Sequence, residues 1–140
     1  MLARLLMFFA LLVGGGAALL TAPAMAIVKT TTVDAALMKQ LDPDNDGTVD
    51  LAEAKAAGAA MFKKLNPDDD GTLDMKELKG RISESDLKAA DPDNDGTLDM
   101  DEYMALIAKL FKEANPDGDG TLDDAELKSP AGQKLLALIT

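Results

Sequence analysis

Cysteine, histidine and tryptophan are absent from this 140-residue chain, which holds a single tyrosine and four phenylalanines. Without cysteine, an oxidising compartment offers it no disulfide. Without histidine it lacks the commonest transition-metal ligand and general base. No nucleophile–base constellation is then available, and an enzyme is not expected. Basic residues are few beside acidic ones, 14 against 25, for a net charge of −11. That balance argues against nucleic acid as a partner and points to cations. The donors that remain are carboxylate, carbonyl and water oxygens, which favour hard cations.

Long apolar runs are also scarce, and the main one lies at the start. Leu5 to Leu20 form an apolar stretch after Arg4, broken by Gly14, Gly15 and Gly16, and Ala24-Met25-Ala26 supplies a small-x-small cleavage pattern. A membrane anchor would want about 20 apolar residues with basic flanks. The glycines and the Ala-x-Ala site fit a cleaved signal peptide better. Residues 1–26 are therefore expected to be removed on export, into the periplasm in a bacterial host. Residues 27–140 are expected to form a single domain without membrane association. That mature chain keeps 13 basic and all 25 acidic residues, a net charge of −12.

What is abundant is acid in a repeating pattern. Four twelve-residue segments read DPDNDGTVDLAE (Asp42 to Glu53), NPDDDGTLDMKE (Asn66 to Glu77), DPDNDGTLDMDE (Asp91 to Glu102) and NPDGDGTLDDAE (Asn115 to Glu126). Their starts are 24, 25 and 24 residues apart, and the like-starting segments are 49 apart. Phe62-Lys63-Lys64-Leu65 echoes Phe111-Lys112-Glu113-Ala114, so the chain reads as a tandem duplication of a two-loop unit.

Each segment follows the EF-hand loop, with oxygen ligands at positions 1, 3, 5, 7, 9 and 12 and glycine at position 6 for the sharp turn. Loop 1 offers Asp42, Asp44, Asp46, the Thr48 carbonyl, Asp50 and Glu53 around Gly47. Loop 2 offers Asn66, Asp68, Asp70, Thr72, Asp74 and Glu77 around Gly71. Loop 3 offers Asp91, Asp93, Asp95, Thr97, Asp99 and Glu102 around Gly96. Loop 4 offers Asn115, Asp117, Asp119, Thr121, Asp123 and Glu126 around Gly120. Position 8 is apolar in every loop (Val49, Leu73, Leu98, Leu122), where paired loops form a short strand contact.

Between the loops, apolar residues recur at helical spacing: Leu51, Ala54, Gly58, Met61, Phe62 and Leu65, then Tyr103, Leu106, Ile107, Leu110, Phe111 and Ala114. Ser129 and Pro130 suit the start of a C-terminal helix. The mature methionines (38, 61, 75, 100 and 104) belong either to this core or to a partner-binding groove. An all-α fold follows, and the spacing limits its form. Only twelve residues (54 to 65, and 103 to 114) separate loops 1 and 2 and loops 3 and 4. A helix of that length spans about 18 Å, so it holds its two loops at opposite ends. Gly80 and the capping residue Ser83 break the segment 78 to 90 and can turn loop 3 back beside loop 2. A compact arrangement of three to four helices is expected, with loops paired 2/3 and 1/4.

Charge bears on the ion. Loops 1 and 3 place five carboxylates at ligand positions, and loops 2 and 4 place four with an asparagine carbonyl. Crowded carboxylates repel one another until a cation arrives, and a trivalent ion relieves more of that repulsion than a divalent one. Proline follows the first ligand in every loop (Pro43, Pro67, Pro92, Pro116) and restricts it, reducing the entropy lost when the loop closes. These features favour a trivalent ion over calcium, with a calcium buffer or sensor as the alternative. An adaptor gripping a partner helix is a further reading.

Together the position-2 prolines, the aspartate at position 9, the short spacing, LKGRISESDLK (78 to 88) and the SPAG tail (129 to 132) resemble the lanmodulin family. The resemblance implies selective binding of lanthanide(III) ions, La to Nd, with Ca2+ as a weaker ligand, by a monomer that folds around its metal. It also implies lanthanide uptake or handling in the periplasm of a methylotroph, with at most a transient protein partner. Loop 4 begins with asparagine, as the family's weak loop does. Asn66 departs from the family, where aspartate is expected at the start of loop 2.

Overall fold

The computed structural model describes residues 30–140, so the signal peptide expected over residues 1–26 lies outside the described residues. Among the described residues, six helices and four two-residue strands follow in the order α1 (Ala35–Leu41), β1 (Val49–Asp50), α2 (Leu51–Leu65), β2 (Thr72–Leu73), α3 (Glu84–Ala90), β3 (Leu98–Asp99), α4 (Met100–Ala114), β4 (Thr121–Leu122), α5 (Asp124–Leu127) and α6 (Pro130–Ile139). This is more helices than the three to four expected, because α1, α3 and α5 are short separate pieces around the loops. None of these helices is long and apolar enough to cross a membrane.

The two long helices begin inside the acidic segments. Asp50 caps α2 by accepting from the Glu53 N–H at 2.7 Å, and Glu53 accepts from the Asp50 N–H at 2.8 Å. Asp99 and Glu102 repeat this reciprocal box at the start of α4, at 2.8 and 2.9 Å. The box satisfies N–H groups that a helix start leaves without partners. Positions 10 to 12 of the loop thereby become the first helical turn. The helices run for 15 residues rather than 12, about 22 Å, and still hold successive loops at opposite ends.

The strands pair across the molecule, β1 antiparallel to β4 and β2 antiparallel to β3. Val49 lies opposite Leu122 and Leu73 opposite Leu98, and all four side chains are fully buried. The reversal between β2 and β3 is made at Lys79 and Gly80, both with positive φ (49° and 73°), before Ser83 caps α3 by accepting from the Asp86 N–H. Residues 75–80, directly after Asp74, make turns and no helix.

Helices α2, α4 and α6 form the centre of the core. Phe62 of α2 meets Tyr103 of α4 edge-on, with ring centroids 5.4 Å apart at 71°. The buried Leu135, Leu136, Leu138 and Ile139 of α6 join the same cluster. Met61 is buried, Met38, Met100 and Met104 pack against this core, and Met75 is exposed. Most of the methionine is therefore core material.

Tyr103 ties α4 to the end of α6, its hydroxyl donating to the Leu138 carbonyl at 2.6 Å in a buried site. Tyr103→Phe leaves that carbonyl without a donor, which costs about 1–3 kcal/mol. Thermal unfolding of the variant should show the loss without a change in far-UV circular dichroism. An unchanged midpoint would mean that water replaces the hydroxyl.

Candidate metal centre

Loops 1 and 3 gather their first three aspartates. Ligand atoms of Asp42, Asp44 and Asp46 lie within 4.8 Å of one another, as do those of Asp91, Asp93 and Asp95. Backbone N–H groups hold them there. Asp42 accepts from Gly47 at 2.8 Å and from Asp46 at 3.2 Å, and Asp91 accepts from Gly96 at 2.9 Å and from Asp95 at 3.3 Å. Asp46 and Asp95 each take the N–H and the hydroxyl of the threonine two residues on, Thr48 and Thr97, at 2.7 to 2.8 Å. Asp42 and Asp91 are only 4 % exposed.

Loops 2 and 4 are built differently at position 1, where an amide replaces the carboxylate. Asn115 Oδ1 accepts from the Gly118 N–H at 2.6 Å, whereas Asn66 Oδ1 is buried and has no hydrogen-bond partner. Asp70 and Asp119 hold Thr72 and Thr121 as their counterparts do, at 2.9 to 3.1 Å. Asp117 accepts from the Asp119 N–H at 3.3 Å. Asp68, at position 3 of loop 2, is exposed.

Positions 9 and 12 are engaged with each other in all four loops. Asp74–Glu77 and Asp123–Glu126 make the same reciprocal bonds as Asp50–Glu53 and Asp99–Glu102, at 2.8 to 3.0 Å. Each glutamate uses Oε2 for the cap, and Oε1 of Glu126 is buried without a partner. Two buried oxygens with nothing to accept from, Asn66 Oδ1 and Glu126 Oε1, fall at positions where the loop pattern expects ligands. An orphaned buried acceptor costs about 1–3 kcal/mol, and a cation would relieve it. The donor set, all oxygen and mostly carboxylate, fits a hard cation.

One structural position escaped the sequence reading. Position 4 is left-handed in every loop: φ is 61° at Asn45, 60° at Asp69, 57° at Asn94 and 71° at Gly118. The Asn45 and Asn94 amides donate to the carbonyls of Pro43 and Pro92, at 3.1 and 3.2 Å. The signal was present, since Asn, Asp and Gly are the residues that tolerate this region.

The carboxylates perturb one another. Burial raises Asp42, but N–H donors led by Gly47 outweigh it and hold its pKa below the ordinary value; Asp91 behaves alike through Gly96. Asp44 and Asp93 are raised, first by the hydrogen bond shared with Asp42 or Asp91, then by burial and by repulsion from neighbouring aspartates, against the lowering N–H of Asp46 or Asp95. Burial, with repulsion from Asp50, Asp44 and Asp42, raises Glu53. At Glu102 the Asp99 N–H lowers the value, but burial and three aspartates together outweigh it.

A pH response follows. Asp44, Asp93, Glu53 and Glu102 hold protons above the ordinary carboxylate values of about 4. A bound cation must displace them. Affinity at loops 1 and 3 should therefore fall as pH drops through that range, by up to about a hundredfold per pH unit for two protons per loop. Folding stability carries the opposite sign for these four groups. Their contribution is complete below the ordinary values and is lost as pH rises through the raised ones. Asp42 and Asp91 oppose it, contributing above their ordinary value and losing that as pH falls. Lanthanum titrations at pH 7 and pH 4 check the first statement, and equal affinities would contradict it.

Comparison with known proteins agrees with this geometry. Residues 85–108 match the EF-hand family. The chain is 64 % identical over 69 residues to lanmodulin of Methylorubrum extorquens. The chain is lanmodulin-like. The likeness covers 49 % of this chain, and the chain spans about half (50 %) of the relative's length. The lanmodulin-like chain thus combines an EF-hand match centred on loop 3 with two carboxylate triplets suited to a metal ion.

Proposed function

We propose that this protein binds trivalent lanthanide ions selectively through four EF-hand loops, folds around them, and serves lanthanide uptake or handling in the periplasm. The supporting observation is the pair of converged triplets, Asp42–Asp44–Asp46 and Asp91–Asp93–Asp95. Each brings three carboxylates within reach of one ion, a density whose mutual repulsion a triple charge relieves best. The ligands of each loop are those at positions 1, 3, 5, 7, 9 and 12. The strand contacts β1–β4 and β2–β3 support a pairing of the loops as 1/4 and 2/3. Loops 1 and 3 bind tightest, loop 2 is intermediate and loop 4 weakest.

Circular dichroism during buffered lanthanum and calcium titrations tests this reading, because metal binding and folding are one equilibrium in such domains. Folding at far lower free lanthanum than calcium is expected. Folding at comparable concentrations of both would favour the calcium buffer instead. Asn66→Asp tests the ranking of the loops. It restores a fifth carboxylate to loop 2 and should tighten that site by about tenfold or more; no change would refute the ranking.

A further inference from the structure

The C-terminal helix α6 is gripped at both ends by residues next to metal loops. At its start, the Gly132 backbone rests on the exit of loop 4. A Cβ there would come within 2.6 Å of Leu127 Cα and of the Leu127 carbonyl oxygen, and would also clash with the Glu126 carbonyl. Gln133 is 9 % exposed and donates from Nε2 to the Leu127 carbonyl at 3.2 Å, while its Oε1 accepts from the Thr31 N–H at 2.6 Å. The Ser129 N–H donates to the Glu126 carbonyl at 3.0 Å.

At its other end, α6 has carbonyls that a helix cannot satisfy internally. Arg81 Nη1 donates to Ala137 and Tyr103 Oη to Leu138, both at 2.6 Å. Arg81 lies four residues after Glu77, the last residue of loop 2, and Tyr103 directly follows Glu102, the last of loop 3. Between these ends, Leu135, Leu136 and Leu138 are fully buried against the core. The seat of Gly132 and Gln133 is the backbone of Glu126 and Leu127, and Glu126 carries the orphaned Oε1 at position 12 of loop 4.

We propose that α6 couples loop 4 to the rest of the fold, with Gln133 as a positioning residue that sets Glu126 for its ion. This rests on the metal-binding function proposed above. An ion in loop 4 fixes Glu126 and with it the seat of α6. By linkage, a docked α6 tightens loop 4 by the same factor. Loop 1 makes no hydrogen bond to α6 among the described residues, so its affinity depends less on that docking.

Calorimetric titration of the full chain with lanthanum, in the wild type and in Gln133→Leu, tests the coupling. The volume of the side chain is kept and both of its hydrogen bonds are lost. The weakest equivalent should loosen by about tenfold, and the tighter ones by much less. A uniform loosening of every equivalent would overturn the coupling, because general destabilisation acts on all loops. Hydrogen exchange in the lanthanum-loaded protein reads it in reverse, and decides the matter if Gln133→Leu fails to fold. Glu126→Gln should deprotect the amides of residues 135–139, and Glu53→Gln should do so far less. Equal deprotection would also overturn it. If the wild type binds no lanthanum, the proposed function fails. If it binds and only these patterns fail, the coupling alone is wrong.

Discussion

Gly132→Ala is expected to lower the stability of the metal-loaded protein by about 3 kcal/mol or more, a fall in Tm of roughly 10 °C or more. The added methyl group would meet the backbone of Glu126 and Leu127, which cannot swing aside. Either α6 lifts away from α5 or α5 shifts and carries Glu126 with it. Gly58→Ala is the informative comparison. Its methyl group meets mainly the Cδ1 end of the Ile107 side chain, which another rotamer can withdraw, with Ile139 Cγ2 at an ordinary 3.7 Å. Alanine also gains roughly 1 kcal/mol of helix propensity over glycine. Gly58→Ala should therefore cost much less. Differential scanning calorimetry of both variants decides the matter, and equal losses would show that α6 does not rest on that backbone as described.

The double variant Asp50→Asn, Asp99→Asn should narrow the preference for lanthanum over calcium at loops 1 and 3 by at least about tenfold. Two unit charges 4 Å apart attract by about 4 kcal/mol at an effective dielectric of 20, and the attraction scales with the charge of the ion. Removing one carboxylate therefore takes more from a trivalent than from a divalent ion. Asparagine caps helices about as well as aspartate, so the starts of α2 and α4, where Asp50 and Asp99 accept from Glu53 and Glu102, should persist. Parallel lanthanum and calcium titrations measure the ratio. Equal losses for both ions would mean that charge density does not set the preference.

Local chemistry made much of this molecule legible before its shape was known. The spacing of Ala54, Gly58, Met61, Phe62 and Leu65, and of Tyr103, Leu106, Ile107, Leu110 and Phe111, marks the buried faces of α2 and α4, with Leu51 only half-buried at the edge. Ser129 caps α6 with Pro130 in its first turn. The acidic segments could be read because their hydrogen bonds join residues two to five apart, such as Asp42 with Gly47 and Asp46 with Thr48. The second duty of Asp50 and Glu53 as a helix cap was equally local, yet the loop pattern concealed it. That is why the helices proved three residues longer than the spacers between the loops.

The sequence by itself determined the acidic segments, their turns, the helix faces and the oxygen-only chemistry, since each arises within a few residues along the chain. Tertiary structure alone decided which loop oxygens are left buried without partners and what α6 holds together. Tyr103 reaches Leu138 across 35 residues, Arg81 reaches Ala137 across 56 and Gln133 meets Thr31 across 102. No periodicity or motif encodes such contacts. They exist because burying the apolar face of α6 between α2 and α4 brings its end carbonyls to donors that the chain had placed beside loops 2 and 3.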